Sequence, residues 1–159
     1  RKAMLAAKVE DMINTVVRQI AFYTFERKVH TARKEGELTP DKINEIWLEI
    51  QAESLGDSIG IGPGYETFWA YIPHFIHSPF YVYAYAFGDC LVNSLYARYQ
   101  ESEAGFQEKY FTMLKAGGTQ HHSELLKPFG LDATDPEFWQ KGLSVISRLI
   151  DELETMENA

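Results

Sequence analysis

The 159 residues contain a single cysteine, Cys90. No internal disulfide can therefore form, and the chain suits a reducing cytoplasm. Basic residues are also scarce: 15 Lys and Arg stand against 23 Asp and Glu, a formal net charge of −8. This deficit argues against a nucleic-acid binder, whose phosphate affinity comes from clustered Lys and Arg. It argues equally against docking on anionic lipid. No run approaches the ~18 apolar residues that a membrane-spanning helix needs. The start, Arg1 to Lys8, is basic, but Lys8, Glu10 and Asp11 interrupt it before a signal-peptide core could form. A chain that opens on Arg1 inside a helical pattern reads as trimmed, a candidate fragment.

Apolar residues make up 45% of the chain and aromatics 14%, enough for one packed core in one domain or one lobe of a larger one. The period is helical throughout, with no convincing strand alternation and no repeat, so the fold class is all-α. Val9, Met12, Ile13, Val16, Val17 and Ile20 recur three and four apart, the stripe of an amphipathic helix running to about Lys34, with Gly36 as its stop. Thr39-Pro40-Asp41 reads as an N-cap, a proline at the first helical position and an acid in the first turn. Ile43, Ile46, Trp47 and Ile50 continue that second helix to near Gly56. Residues 56–64 hold four of the eleven glycines and must be a loop, either an ordinary connector or a hinge beside a site. No Gly-Lys-Ser/Thr follows it, so it is not a phosphate cradle.

Ten of the 22 aromatic residues fall between Tyr65 and Phe87. Pro79 is expected to start a helix running from Phe80 to about Glu101. On helical geometry Tyr81 and Tyr85 share a face and Tyr83 projects the other way. The first turns carry no charge until Asp89, which predicts burial on both sides. Shorter helices are expected over 104–116 and 123–129, and Asp135-Pro136-Glu137 opens the last one.

Five histidines could carry chemistry. His30 near a helix end reads as solvated, and His121-His122 as ordinary polar residues at a helix start. His74 and His77 lie inside the aromatic belt. Two imidazoles without a nearby carboxylate do not complete a zinc site, and no His-Glu-x-x-His occurs, so no metal ligands are assigned within the chain. The histidines and Tyr81, Tyr83 and Tyr85 are then either donors in a partly buried cleft or core residues. A phenol with a reference pKa of ~10 can donate to an oxyanion near neutrality without changing its protonation. As core residues, their hydroxyls would find backbone partners.

Ile72-Pro73-His74-Phe75, followed by Pro79-Phe80-Tyr81-Val82-Tyr83-Ala84-Tyr85-Ala86 and Gly88, resembles the C-terminal signature of the oligoendopeptidase F family of M3 zinc peptidases. Val17-Arg18-Gln19-Ile20-Ala21-Phe22 with Phe25-Glu26, Leu114-Lys115-Ala116-Gly117-Gly118 and Asp151-Glu152-Leu153-Glu154 extend the likeness over nearly the whole chain. The resemblance implies a helical metallopeptidase that cleaves short, unfolded peptides. Residues 1–159 would be one compact C-terminal lobe of its catalytic domain, with the glycine-rich loop at 56–64 as a hinge. It implies zinc in the complete enzyme, held by ligands outside this chain, and the N-terminal remainder of the same protein as a partner. The isolated chain, lacking His-Glu-x-x-His, is expected to be inactive.

By the same resemblance His74 binds the substrate backbone and Tyr83 donates to the oxyanion. His77, Tyr81 and Tyr85 are substrate-binding candidates. Family members often carry Tyr two places after the signature His, where this chain has Ile76. Two other readings remain: a stand-alone helical module whose aromatic cleft binds a peptide or apolar ligand, and a structural fragment in which His74 and Tyr83 are fully buried.

Overall fold

The computed structural model describes residues 1–102 and 104–157, and every regular element among them is helical. Seven α-helices follow one another: α1 (Lys2–Ala32), α2 (Pro40–Leu55), α3 (His74–His77), α4 (Tyr83–Glu101), α5 (Phe106–Ala116), α6 (His122–Leu126) and α7 (Pro136–Glu157). Short 3₁₀ segments at Gly56–Ser58, Tyr65–Tyr71 and Lys127–Phe129 link some of them. None of the helices is long and apolar enough to cross a membrane.

The helix ends follow from local chemistry. The Thr39 side chain accepts the Lys42 N–H at 3.3 Å, Pro40 opens α2, and Gly56 closes it at φ +61, a conformation that costs glycine little. At the start of α7, the Asp135 carboxylate accepts the Glu137 N–H at 2.9 Å. His121 plays the same part for α6, its Nδ1 accepting the Ser123 N–H at 3.4 Å. The His121-His122 pair is thus a helix start, as its polarity suggests.

The described residues gather into two compact units, although nothing in the sequence marks a boundary between them. The first is Asp11–Phe87. Its core is aromatic: Trp47 has no exposed surface, Phe22, Phe25, Ile46 and Ile50 surround it, and Ile72 and Val82 close it. The rings of Phe25 and Trp47 meet edge to face at 5.2 Å, and Phe25 and Phe75 at 5.0 Å. Buried polar groups are tied to this core. Trp47 donates its indole N–H to the Tyr65 carbonyl at 3.0 Å, and the Tyr65 hydroxyl donates to Gln51 at 3.2 Å. Burial pushes the Tyr65 phenol above its ordinary range, against the lowering pull of Arg18.

The second unit is Arg1–Glu10 with Gly88–Ala159. Leu95, Leu126, Phe129, Leu131 and Phe138 form its core. Here α4 and α7 approach closely because position 142 has no side chain. A Cβ on Gly142 would lie 2.8 Å from the Cys90 carbonyl oxygen and 2.9 Å from the Ser94 Oγ. The buried Ser94 hydroxyl donates to the Phe138 carbonyl at 2.8 Å.

Three expectations need correction. The apolar stripe of α1 splits: Val9, Met12 and Val16 are buried, whereas Ile13, Val17 and Ile20 are exposed. Six apolar residues cover more of the helix circumference than the faces packed against it. Helix α4 begins at Tyr83 rather than after Pro79, because Phe80 adopts φ +59 and breaks the helical path. Its start is also not buried on both sides: Tyr83 and Tyr85 reach solvent while Val82 and Ala86 face inward. A phenol can pack its ring and keep its hydroxyl wet, so uncharged composition did not require burial.

Candidate active-site face

The histidines and tyrosines singled out from the sequence lie in the Asp11–Phe87 unit. Pro73 begins a single helical turn, α3, which carries His74 at one end and His77 at the other. Ser78 ends it with an extended φ of −142, its N–H bonded to the His74 carbonyl at 3.0 Å. The chain then turns through Pro79 and Phe80 and enters α4.

This turn folds Tyr81 and Tyr85 back toward α3. The His74 Nε2 and the Tyr85 hydroxyl are 3.2 Å apart, within hydrogen-bond reach, and their rings meet edge to face at 5.8 Å. The Tyr81 ring stands perpendicular to that of Tyr85 at 5.5 Å. His74, Tyr81 and Tyr85 therefore form one cluster. His74 is half-buried, and Tyr81 and Tyr85 are exposed. His77 is exposed at the far end of α3 and stands outside the cluster.

Tyr83 faces elsewhere. Its ring packs edge to face against Tyr23 of α1 at 5.9 Å, and 49% of the residue remains exposed. Its hydroxyl takes no hydrogen bond among the described residues. Two predicted site residues, Tyr83 and Tyr85, thus present different chemistry: one phenol is engaged by an imidazole and the other is open. The fully buried state required of a purely structural His74 and Tyr83 is not what the chain adopts.

Two neighbours carry no site role in the sequence reading, although Glu26 belongs to a segment that supports the family resemblance. Tyr23 supports the Tyr83 ring, and Glu26, one turn further along α1, accepts the Phe80 N–H at 2.9 Å. Their spacing of three on a helix places them side by side. That pattern is common in any helix, so only the fold identifies them. At the other edge of the unit, the glycine-rich loop over 56–64 leads into Tyr65. Gly64 adopts φ +91 and donates its N–H to Glu66 at 2.7 Å. Among the described residues, no group of three or more His, Cys, Asp or Glu side chains could hold a metal ion.

The profile of peptidase family M3 matches residues 1–145. Oligopeptidase PepF of Bacillus subtilis is 31% identical over 157 residues, a stretch that covers 98% of this chain and 23% of that protein. The plasmid oligoendopeptidase F of Lactococcus lactis subsp. cremoris is 29% identical, with 98% of this chain and 26% of the relative covered. The crystal structure of oligoendopeptidase-F from Enterococcus faecium superposes with a TM-score of 0.90 at 26% identity, covering 99% of this chain and 30% of that one. The chain thus spans about a quarter of the length of the relatives it matches.

Proposed function

The chain belongs to peptidase family M3, and from that premise we propose that it forms the C-terminal helical part of a zinc-dependent oligoendopeptidase acting on internal bonds of short, unfolded peptides. Its contribution in this reading is a set of hydrogen-bond donors that bind the peptide backbone and meet the charge developing on the attacked carbonyl. The observation that carries the proposal is the division of labour among the phenols. The Tyr85 hydroxyl lies 3.2 Å from His74, whereas the Tyr83 hydroxyl is open and its ring is held by Tyr23.

Peptide hydrolysis turns a neutral carbonyl oxygen into an oxyanion, and a donor fixed in advance stabilises that charge without reorganising. Tyr83 fills this role. Its ring is braced by Tyr23, and its hydroxyl carries a donor O–H that no described residue takes up. His74, oriented by Tyr85, binds the substrate backbone, with Tyr81, Tyr85 and His77 as further contacts. The described residues do not fit a metal site, so no step is assigned to this chain through zinc. In the complete polypeptide the metal would be held by the N-terminal remainder. That remainder also gives an occupant to the exposed Ile13, Val17 and Ile20 stripe of α1, since relatives are about four times as long. Within this chain the one thiol is buried and no internal disulfide can form, which favours a reducing compartment, the cytoplasm.

The test is Tyr83→Phe in the complete polypeptide, assayed on an unstructured oligopeptide. A drop in kcat of about 10²- to 10³-fold with KM nearly unchanged is expected for a lost oxyanion donor. Turnover equal to that of the unaltered enzyme would reject the role.

A further inference from the structure

Phe80 is the residue other than glycine that adopts a positive φ among the described residues, at +59. An aromatic side chain gains nothing locally from that conformation, because its Cβ crowds the following carbonyl. Something outside the turn must impose it. Glu26, only 2% exposed and 54 residues earlier, accepts the Phe80 N–H through Oε1 at 2.9 Å. One turn further along α1, the His30 ring lies 4.7 Å from the Phe80 ring. Helix α1 thus holds both the backbone and the side chain of the strained residue.

The consequences run directly into the phenol run. The Tyr81 N–H bonds to the Ser78 carbonyl at 3.3 Å, and the Ala84 N–H to the Tyr81 carbonyl at 2.9 Å. Val82, without exposed surface, seats the turn in the core. A turn fixed at Phe80 sets where α4 starts, and therefore the directions of Tyr81, Tyr83 and Tyr85. The arrangement is costly: the Glu26 Oε2 is buried without a hydrogen-bond partner among the described residues. Strain and an unpaired buried carboxylate oxygen at the same turn are features expected where geometry is held against stability.

We infer that Glu26 is a positioning residue: its carboxylate locks the Phe80 turn and thereby orients the tyrosines that act on the peptide. The inference rests on the functional reading above for its second half, and on the turn geometry alone for its first. In the complete polypeptide, Glu26→Leu keeps an apolar filling of similar size but removes the acceptor, whereas Glu26→Gln retains an amide oxygen for the Phe80 N–H. The Leu variant is expected to lose at least tenfold in kcat on an unstructured oligopeptide, and the Gln variant to stay within about threefold of the unaltered protein. Tyr83→Phe should cost less in the Leu background than alone, since a misdirected phenol has less to lose. Amide exchange of Phe80 should accelerate at least tenfold in the Leu variant, and in the Gln variant stay as it is.

Continued protection of the Phe80 amide in the Leu variant would overturn the positioning role. So would equal impairment of the Gln and Leu variants, or full kcat with the amide unprotected. If the unaltered polypeptide cleaves no peptide, the functional reading alone fails. The exchange result then still decides whether Glu26 holds the turn.

Discussion

Both units of the chain show tyrosines to solvent, but they do so differently. In the unit built from Arg1–Glu10 and Gly88–Ala159, Tyr96 and Tyr99 line an open apolar groove of about 600 Å³ with Phe106, Tyr110 and Phe111. Rings meet rings there: Tyr99 and Phe106 at 5.3 Å, Phe106 and Tyr110 at 6.0 Å. The Tyr96 hydroxyl accepts from Gln100, a flexible side chain on the same helix, at 3.2 Å. In the unit of residues 11–87 the phenols are paired with an imidazole, braced by a second tyrosine, and set by a turn tethered through a buried carboxylate. Exposure alone does not distinguish the two groups. What does is the company they keep: an imidazole on Tyr85 and a turn tethered at Phe80 by a buried carboxylate in one unit, against ring contacts and a same-helix amide in the other. Fixed polar partners are what electrostatic stabilisation of a transition state uses.

That contrast can be broken or sharpened by substitution. The largest effect is expected from Trp47→Ala, which empties the centre of the aromatic core and removes the hydrogen bond to Tyr65. A loss of about 3–5 kcal/mol in urea unfolding is anticipated, with amides of the 11–87 unit losing protection first. Gly142→Ala tests the other unit. Alanine favours a helix by ~1 kcal/mol over glycine, yet its Cβ would stand 2.8 Å from a backbone oxygen that cannot swing aside. Net destabilisation of about 1–2 kcal/mol is the expected outcome, with kcat on an unstructured oligopeptide unchanged in the complete polypeptide. A more stable Gly142→Ala protein would show that α4 and α7 can part without penalty.

The smallest effects compare the phenols directly. Tyr85→Phe removes the partner of His74 and should lower kcat/KM about tenfold, ~1.4 kcal/mol, mainly through KM. Tyr99→Phe, in the ring-lined groove, should leave kcat/KM within about twofold. Equal losses for the two variants would erase the proposed difference between the faces.

Much of the fold was legible because its signals are local. The cap at Thr39-Pro40-Asp41, the start at Asp135-Pro136-Glu137 and the stop at Gly56 each depend on a few adjacent residues. The start of α4 was not legible. Pro79 invites a helix, and the acceptor that diverts Phe80 lies 54 residues away on α1. For the same reason the sequence could group Tyr81, Tyr83 and Tyr85 but could not pair His74 with Tyr85, since that contact depends on the turn between them. The exposed half of the α1 stripe is not legible in the sequence because periodicity reports apolar residues and says nothing of how many faces have a neighbour. Gly142 carries no signal in the sequence: a glycine within a helix marks a close crossing only once the crossing helix is known.

The backbone of Cys90 lies at the tight α4–α7 crossing; the residue is buried, and that burial, with help from Asp89, pushes its thiol pKa up to about 11. At neutral pH that thiol stays protonated and shielded, a poor nucleophile toward maleimides, peroxide or another copy of the chain. The molecule therefore carries its own clock for breathing: the pace at which a thiol dye labels it measures how often the packing around this side chain opens.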